Sequence, residues 1–197
     1  AKIHKEWFGH TVINSDRCFN YDEVQEIIEQ KQGEMSDVIL QLHQLAQILR
    51  KKRFDNNAIN FETEEVKFKL HENSKPIGVY LKVQKEANWL IEEMMLLANR
   101  RVAEKVGKRT ARQLPRTFVF RVHDEPMSDK LETFKNFVGK LGYELKPTSH
   151  KSFVSSMNKM FDEVKGSNEY NMLSKLSIRI MARAVYSTDN IGHYGRA

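Results

Sequence analysis

The stretch ANWLIEEMMLLANRR, residues 87–101, decides the fold prediction, because its apolar residues recur with the period of an α-helix. Successive helical residues are rotated by about 100°, so residues three and four positions apart share a face. The predicted apolar face holds Leu90, Ile91, Met94, Leu97, Ala98 and Val102. Of the two adjacent glutamates, Glu93 falls beside Trp89 and Arg100, which predicts a solvated carboxylate with a helical ion pair.

Glu92 belongs to a different part of the predicted helix surface. It shares a narrow stripe with Asn88, Met95 and Asn99, so a carboxylate lies between two amides. This pattern predicts a polar groove in a mostly buried helix, where a ligand can bind. A structural, hydrogen-bonded carboxylate is the alternative that the residues alone leave open.

The rest of the chain adds further helices and a strand pair. Residues 66–70 and 77–83 alternate apolar and polar side chains around the turn HENSKP, which predicts a β-hairpin. Asn20 and Glu23 form a capping-box pattern for a helix over YDEVQEIIEQ. A second helix from Ser36 is predicted to carry the apolar stripe Val38, Leu42, Leu45 and Leu49. Strands are also predicted at 3–13 and 117–123, and helices near 128–142, 150–165 and 168–186.

Length and composition favour one large unit. The 197 residues are 40% hydrophobic, which is enough to bury a sizeable core. No repeat, low-complexity tract or linker divides the chain. We therefore expect residues 1–197 to form a single α+β unit, with a mixed sheet or β-hairpin packed against several long helices.

The charge distribution favours an anionic partner. The formal net charge is +6, and the segment from Arg100 to Arg121 holds eight cations against one acid, Glu104. Clustered cations suit phosphate groups and impose little spacing, although a solvated loop is an equal alternative. The candidate phosphate contacts in this segment are Lys108, Arg109 and Arg112.

Other classes of function find no support in the residues. One cysteine, Cys18, excludes an internal disulfide and, with no membrane-length apolar run or signal-peptide core, predicts a cytoplasmic protein without a membrane partner. The seven histidines lack metal-ligand spacing, and Gly107-Lys108 lacks the rest of a phosphate-loop motif, so no small-molecule cofactor is predicted. The residues alone support a basic α+β RNA-binding domain without a visible catalytic centre.

Five stretches together resemble the RNB family of 3′-to-5′ exoribonucleases, and within it the ribonuclease R branch. The resemblance covers nearly the whole chain in family order, but only the second part of the family's catalytic domain. The stretches are WFGHTVINSDRCFNYDEVQE (7–26), LRKKRFDNNAINFETEEVKFKL (49–70), ANWLIEEMMLLANRRVAE (87–104), FVFRVHDEP (118–126) and AVYSTDNIGHYGRA (184–197).

The resemblance implies a parent enzyme that degrades RNA processively by Mg²⁺-dependent phosphodiester hydrolysis. In the family, aspartates upstream of the first stretch bind Mg²⁺, and a segment downstream of the last stretch supplies a catalytic arginine. We expect this chain to lack both, and therefore to contain no catalytic residue, to bind no metal and to be inactive alone. One departure from the family is Ser74, which replaces a hairpin glycine.

The resemblance also assigns RNA-binding roles. It places Glu92 along the RNA channel near the 3′-terminal nucleotides, and Phe61 where an aromatic ring stacks on a base. Asn99 and His193 are the further RNA-binding candidates, and single-stranded RNA is the expected partner. On the residues alone, Phe61 is a core phenylalanine. The alternative function is a stand-alone, non-catalytic RNA-binding or interaction module.

Overall fold

The computed structural model describes residues 2–56, 58–59, 65–107, 116–124, 126–146 and 148–191, without the side chains of residues 65, 150 and 151. Within these residues the chain forms six α-helices and two two-stranded antiparallel sheets. Their order is α1 (Tyr21–Gln30), α2 (Ser36–Asp55), β1 (Glu65–Leu70), β2 (Pro76–Lys82), α3 (Glu86–Gly107), β3 (Phe120–Val122), α4 (Ser128–Lys140), α5 (His150–Val164), α6 (Tyr170–Ile180) and β4 (Val185–Ser187). The predicted α+β class is confirmed.

The chain divides into two compact units. Unit 1 comprises Ala1–Lys52 and Gln84–Asn99, and unit 2 comprises Arg53–Val83 and Arg100–Ala197. The prediction that residues 1–197 form one unit of a larger domain is not tested by this division and stays a prediction. No described helix combines the length and apolarity that crossing a membrane requires.

In unit 1, helix α1 begins with a capping box and contributes to a small buried cluster. The Glu23 amide donates to Asn20 Oδ1 at 2.9 Å and the Asn20 amide donates to Glu23 Oε2 at 2.8 Å, which confirms the predicted capping box. Ile27 and Ile28 of α1 are buried in a small cluster with Ile39 and Ala87.

Two predictions about unit 1 are wrong. Residues 2–20 contain neither helix nor strand, because the described part of the chain offers them no strand to pair with. Helix α2 buries Ile39 and Ala46, whereas Val38 and Leu42 of the predicted stripe are 49% and 39% exposed. Since Ile39 belongs to the cluster of α1 residues, the buried face lies one residue, about 100°, from the predicted stripe.

The three predicted C-terminal helices form, and they build most of the main core of unit 2. Helix α5 begins with a capping box between Ser149 and Ser152 and buries six apolar side chains: Phe153, Val154, Met157, Met160, Phe161 and Val164. These residues cluster with Phe134 and Val138 of α4 and with Leu173 and Ile180 of α6. The core therefore depends on side chains from all three helices.

The β1–β2 hairpin forms with the predicted turn. The His71 amide donates to the Lys75 carbonyl at 2.8 Å, and Ser74 adopts φ +60°, the left-handed conformation that glycine tolerates best. All seven residues of β2 are exposed, as are Val66 and Phe68 of β1. Both faces of the hairpin are therefore exposed to solvent in the part of the chain that the structure describes.

A second strand pair was only half predicted. Strand β3 lies inside the predicted strand 117–123 and pairs with β4, whose first two residues were expected to end the last helix, near 168–186. Helix α6 instead ends at Ile180. His123 Nδ1 lies 2.8 Å from the Ala182 carbonyl oxygen, next to the point where the chain turns towards β3. The partner strand is distant in sequence, so local periodicity does not identify β4.

Candidate nucleic-acid interface

The predicted RNA-contacting helix is α3, and its start is defined by an amide side chain. Asn88 Oδ1 accepts a hydrogen bond from the Lys85 amide at 3.0 Å, and the Asn88 and Trp89 amides donate back to the Lys85 carbonyl at 3.0 and 3.1 Å. Asn88 was predicted to line the polar groove with Glu92. Its side-chain oxygen instead satisfies a backbone donor at the helix end, which fixes where α3 begins.

A buried glutamine attaches the first turn of α3 to α1 within unit 1. Gln25 Nε2 donates to Glu86 Oε2 and to Glu29 Oε1, both at 2.8 Å, and the Ala87 amide donates to Gln25 Oε1 at 3.1 Å. The hydrogen bond from Gln25 is the largest cause that lowers the pKa of Glu86 below its ordinary value. The glutamine therefore uses both ends of its amide to hold α3.

The two adjacent glutamates lie in different environments, but the predicted environment of Glu93 is wrong. Glu93 is only 3% exposed. It follows Ala87 and Leu90 at intervals of three, and these three are the buried residues of α3. Glu93 therefore lies on the buried face of α3. The contacts of Glu86 and Ala87 with Gln25 in the first turn of the helix orient this face towards α1.

The predicted ion pair is also replaced. Arg100 Nε pairs with Glu104 at 3.3 Å, one helical turn onward, and Arg101 pairs with the same carboxylate. Arg100 and Arg101 both belong to the group of eight cations in the segment 100–121 that favoured an anionic partner. Since these two charges face a carboxylate, the phosphate-binding capacity of this helix end is smaller than the number of cations in the sequence suggests.

Glu92 and Asn99 share an open side of α3. Glu92 is half-buried, whereas Met95 and Asn99 are exposed, so the prediction of a mostly buried helix is wrong. Asn99 lies seven positions after Glu92, which is about two helical turns and a rise of about 10 Å. The structure therefore places both candidate residues along one accessible side of a helix whose first turn is fixed.

A further cation lies near the start of α3 in unit 1. The Arg50 guanidinium is 4.3 Å from the centre of the Trp89 ring, a cation–π contact. Arg50 belongs to the basic run 50–53 at the end of α2. The contact holds this positive group at a fixed position, and the sequence does not predict it because Arg50 and Trp89 are distant in the chain.

The remaining candidate residues lie outside the described residues. They are Phe61, Lys108, Arg109, Arg112 and His193. The structure does describe two residues that precede Phe61 in the chain, Ala58 and Ile59. Ala58 and Ile59 are buried, and Asn158 of α5 donates from Nδ2 to the Ala58 carbonyl at 3.0 Å.

The described side chains do not fit the Mg²⁺ chemistry that the resemblance implies. Mg²⁺ in nuclease sites is held by carboxylates that converge on the ion. Among the described residues, no three or more His, Cys, Asp or Glu side chains come together in a way that could hold a metal ion. No step through the metal is therefore assigned to this part of the chain.

The chain has an α+β fold, an accessible polar face on α3 and clustered cations. These features place it among candidate nucleic-acid-binding proteins. Comparison with known proteins then identifies the family. The model of the RNB domain family matches residues 1–197, so the chain belongs to the RNB family.

Curated relatives show how much of a longer protein this chain corresponds to. Ribonuclease R of Thermotoga maritima is 35% identical over 193 residues, which cover 95% of this chain and 26% of that protein. DIS3-like exonuclease 2 of Caenorhabditis elegans is 30% identical over 208 residues, which cover 94% of this chain and 24% of that protein. The chain therefore spans about a quarter of the length of these relatives.

Solved structures give the same fold. Mycoplasma genitalium RNase R in complex with ribose methylated single-stranded RNA superposes with a TM-score of 0.74 and 23% identity, over 90% of this chain and 28% of that chain. The same protein in complex with double-stranded RNA gives a TM-score of 0.73 at 22% identity. At these identities the likeness establishes the fold alone.

Proposed function

We propose that this chain is the part of a 3′-to-5′ exoribonuclease that lines the RNA channel. The observation that carries the proposal is the RNB family match over residues 1–197, together with relatives named ribonuclease R and DIS3-like exonuclease 2. The substrate of the longer enzyme is single-stranded RNA, which it shortens from the 3′ end by hydrolysis. A cytoplasmic location is part of the same proposal.

Glu92 acts in this proposal as an acceptor for the terminal nucleotides. A carboxylate accepts hydrogen bonds from ribose hydroxyls or base amino groups, and an amide such as that of Asn99 both donates and accepts. Glu92 lies on a helix whose first turn is fixed by Asn88 and Gln25. Such a fixed carboxylate orients RNA without selecting one base strongly.

Phe61 supplies the stacking surface in this proposal. Every base offers a π-face, so a stacked aromatic ring suits an enzyme that accepts any sequence. The support from described residues is indirect: Ile59 belongs to the main core, and Asn158 holds the Ala58 carbonyl. The backbone just before Phe61 is therefore anchored to α5. The phosphate-contact roles of Lys108, Arg109 and Arg112 and the RNA-binding role of His193 are proposed on sequence alone.

Mg²⁺-dependent hydrolysis is proposed only for a longer parent enzyme. In this proposal the described residues of the chain bind and orient RNA, and they bring no set of three or more metal ligands together. We therefore expect the 197-residue chain, tested alone with an end-labelled oligoadenylate and Mg²⁺, to leave the RNA at its original length. Stepwise shortening that survives repurification and disappears in Glu92→Ala would show that this expectation is wrong.

The role of the chain is tested by its preference for a free 3′ end. Fluorescence anisotropy with a 5′-labelled oligouridylate should show weak, salt-dependent binding by the folded chain, which is reduced when the RNA carries a 3′-phosphate. Glu92→Ala should lose this preference. Glu132→Ala is the matched control, because Glu132 is an exposed glutamate of α4 and its removal changes the charge equally.

The outcomes separate the two candidate functions. Binding that ignores the 3′ end and is unaffected by Glu92→Ala would favour a stand-alone RNA-binding module over a channel segment. No binding at low salt by a folded sample would overturn both. In an active parent enzyme, Phe61→Ala should weaken RNA binding by about 1–3 kcal/mol and change the length of the end product.

A further inference from the structure

The β1–β2 hairpin has one face of cationic and aromatic residues. Side chains directly opposite each other in an antiparallel pair point to the same side, and so do residues two apart along a strand. Lys67 pairs with Tyr80 and Lys69 with Gly78, while Lys82 pairs with Glu65. We name Lys67, Lys69, Gly78, Tyr80 and Lys82 the basic hairpin face; Glu65 is the one acid among the described register positions on this side, so the three lysines leave a net positive charge.

The basic hairpin face is accessible. Tyr80 is 45% exposed, Lys69 and Lys82 are exposed, and Lys67 is half-buried. A Cβ atom added at Gly78 would meet no atom within 4 Å. Open space therefore lies beside the Tyr80 ring, across the ladder from Lys69.

Gly78 lies beside an irregularity of the ladder, because the register shifts between Lys69 and Leu70. Gly78 is not among the described residues with positive φ, so its conformation is open to any side chain. Glycine in a strand weakens the strand and marks either a bulge, as the register shift beside Gly78 indicates, or a position where a ligand approaches closely. At Gly78 it keeps the surface beside Tyr80 clear.

The chemistry of this face matches single-stranded nucleic acid. Ammonium groups attract phosphates, and Lys67 and Lys69 are about 7 Å apart along the strand, which allows contacts to different phosphates. A phenol ring stacks on a base of any sequence. We propose that the basic hairpin face binds single-stranded RNA, with a base stacked on Tyr80 above Gly78 and phosphates held by the lysines.

This inference rests on the proposed function and adds a contact surface to it. Glu92 and Asn99 belong to unit 1, whereas the basic hairpin face belongs to unit 2. The opposite side of the hairpin carries Val66, Phe68, Val79 and Leu81, which are exposed and apolar. A protein partner would favour that apolar side, so the charged and aromatic side is the one that fits RNA.

Gly78→Val is the decisive variant. Valine favours strands, so this substitution should leave the melting temperature of the chain unchanged or raise it. It also fills the space beside Tyr80, and should therefore weaken binding of a labelled single-stranded oligouridylate about fivefold or more, comparable to the loss of one stacked base. Tyr80→Ala should have the same effect on binding, whereas Tyr80→Phe, which keeps the ring, should bind like wild type.

The lysines are tested by salt dependence. The double variant Lys69→Ala/Lys82→Ala should reduce the steepness of the log affinity against log salt plot by about 0.7 for each phosphate that is no longer neutralised. Lys130→Ala/Lys135→Ala is the control, because it removes the same charge from exposed positions on α4. A duplex of the same length should not distinguish Gly78→Val from wild type, since it offers no unstacked base.

The outcomes distinguish failure of the hairpin inference from failure of the proposed function. If wild type binds RNA with a 3′-end preference but Gly78→Val and Tyr80→Ala bind equally well, the hairpin inference is wrong and the proposed function stands. If the lysine pair and its α4 control weaken binding equally, the effect is one of net charge and the inference is likewise overturned. If the folded wild-type chain binds no RNA, the proposed function falls, and the inference falls with it.

Discussion

Helix α5 and the β1–β2 hairpin both carry apolar side chains at regular intervals, yet among the described residues only α5 is covered. Six apolar residues of α5 are buried, whereas every residue of β2 is exposed. The period of an apolar pattern therefore predicts the type of element correctly in both regions. It does not predict whether a partner covers the element.

The difference follows from what each element contacts. Helix α5 shares a buried cluster with residues of α4 and α6, its neighbours in the chain. The hairpin satisfies its backbone groups internally through the β1–β2 ladder, which leaves its faces open to other contacts. A covered element contributes mainly stability, while an open one is available for binding.

The largest expected effect is a cavity in the covered region. Leu173 of α6 is completely buried in the α4–α6 core, so Leu173→Ala should lower the free energy of unfolding by about 2–5 kcal/mol. Urea denaturation followed by circular dichroism measures this loss. A cost below about 1 kcal/mol would mean that the core is packed less tightly than the burial of Leu173 indicates.

A smaller effect is expected at the start of the covered helix. Ser149 accepts a hydrogen bond from the Ser152 amide at 3.1 Å, so Ser149→Ala should cost about 1 kcal/mol. Thermal denaturation should show a lower melting temperature. Ser155→Ala, at an exposed position inside α5, is the control and should be neutral or slightly stabilising. Equal effects at both serines would contradict the cap.

The open region should tolerate polar substitution. Phe68 is 62% exposed, so Phe68→Thr, which keeps a strand-favouring residue, should change the free energy of unfolding by no more than about 0.5 kcal/mol. The same urea experiment applies. A cost approaching that of Leu173→Ala would show that the apolar side of the hairpin is covered in solution, and the contrast with α5 would disappear.

The smallest expected effect concerns pH in unit 1. The hydrogen bond from Gln25 is the main cause that lowers the pKa of Glu86 below 4.5 in the folded chain. The ionised Glu86 therefore stabilises the folded state above pH 4.5, and this stabilisation is lost as the pH falls through the folded-state pKa. The protection factor of the Ala87 amide, which donates to Gln25, should fall in that range once the observed exchange rate is divided into the intrinsic rate at each pH. Gln25→Ala should remove this acid-dependent change, and an unchanged pH profile would refute the linkage.

Local chemistry made much of the fold predictable. The α1 capping box depends on Asn20 and Glu23, three residues apart, and the hairpin on a turn between alternating runs. The buried faces of α2 and α3 were not predictable, because contacts between Ile39 and α1 residues, or between Gln25 and Ala87, decide which side is covered. Strand β4 was missed because its partner is distant in sequence.

The candidate site was predictable only in part. The residues alone indicated that Glu92 and Glu93 differ and placed Leu90 on the buried face, but they left Glu93 solvated and covered Ile91, whereas Glu93 is buried and Ile91 is exposed. The role given to Glu92 came from the family resemblance, since a single carboxylate carries no specific pattern. Asn88 was placed in a groove, although an asparagine three residues after Lys85 is also the spacing of a helix cap.

The β3–β4 pairing has a consequence for the order of folding. Its two three-residue strands are joined by a segment that contains all of α4, α5 and α6, so pairing Val122 with Val185 requires closure of a long loop. Loop-closure entropy disfavours this step until the three helices have compacted the segment. We therefore expect the helices to fold first and the ladder to open first. Native-state hydrogen exchange tests this order, and a Val122 amide as protected as that of Leu173 would contradict it.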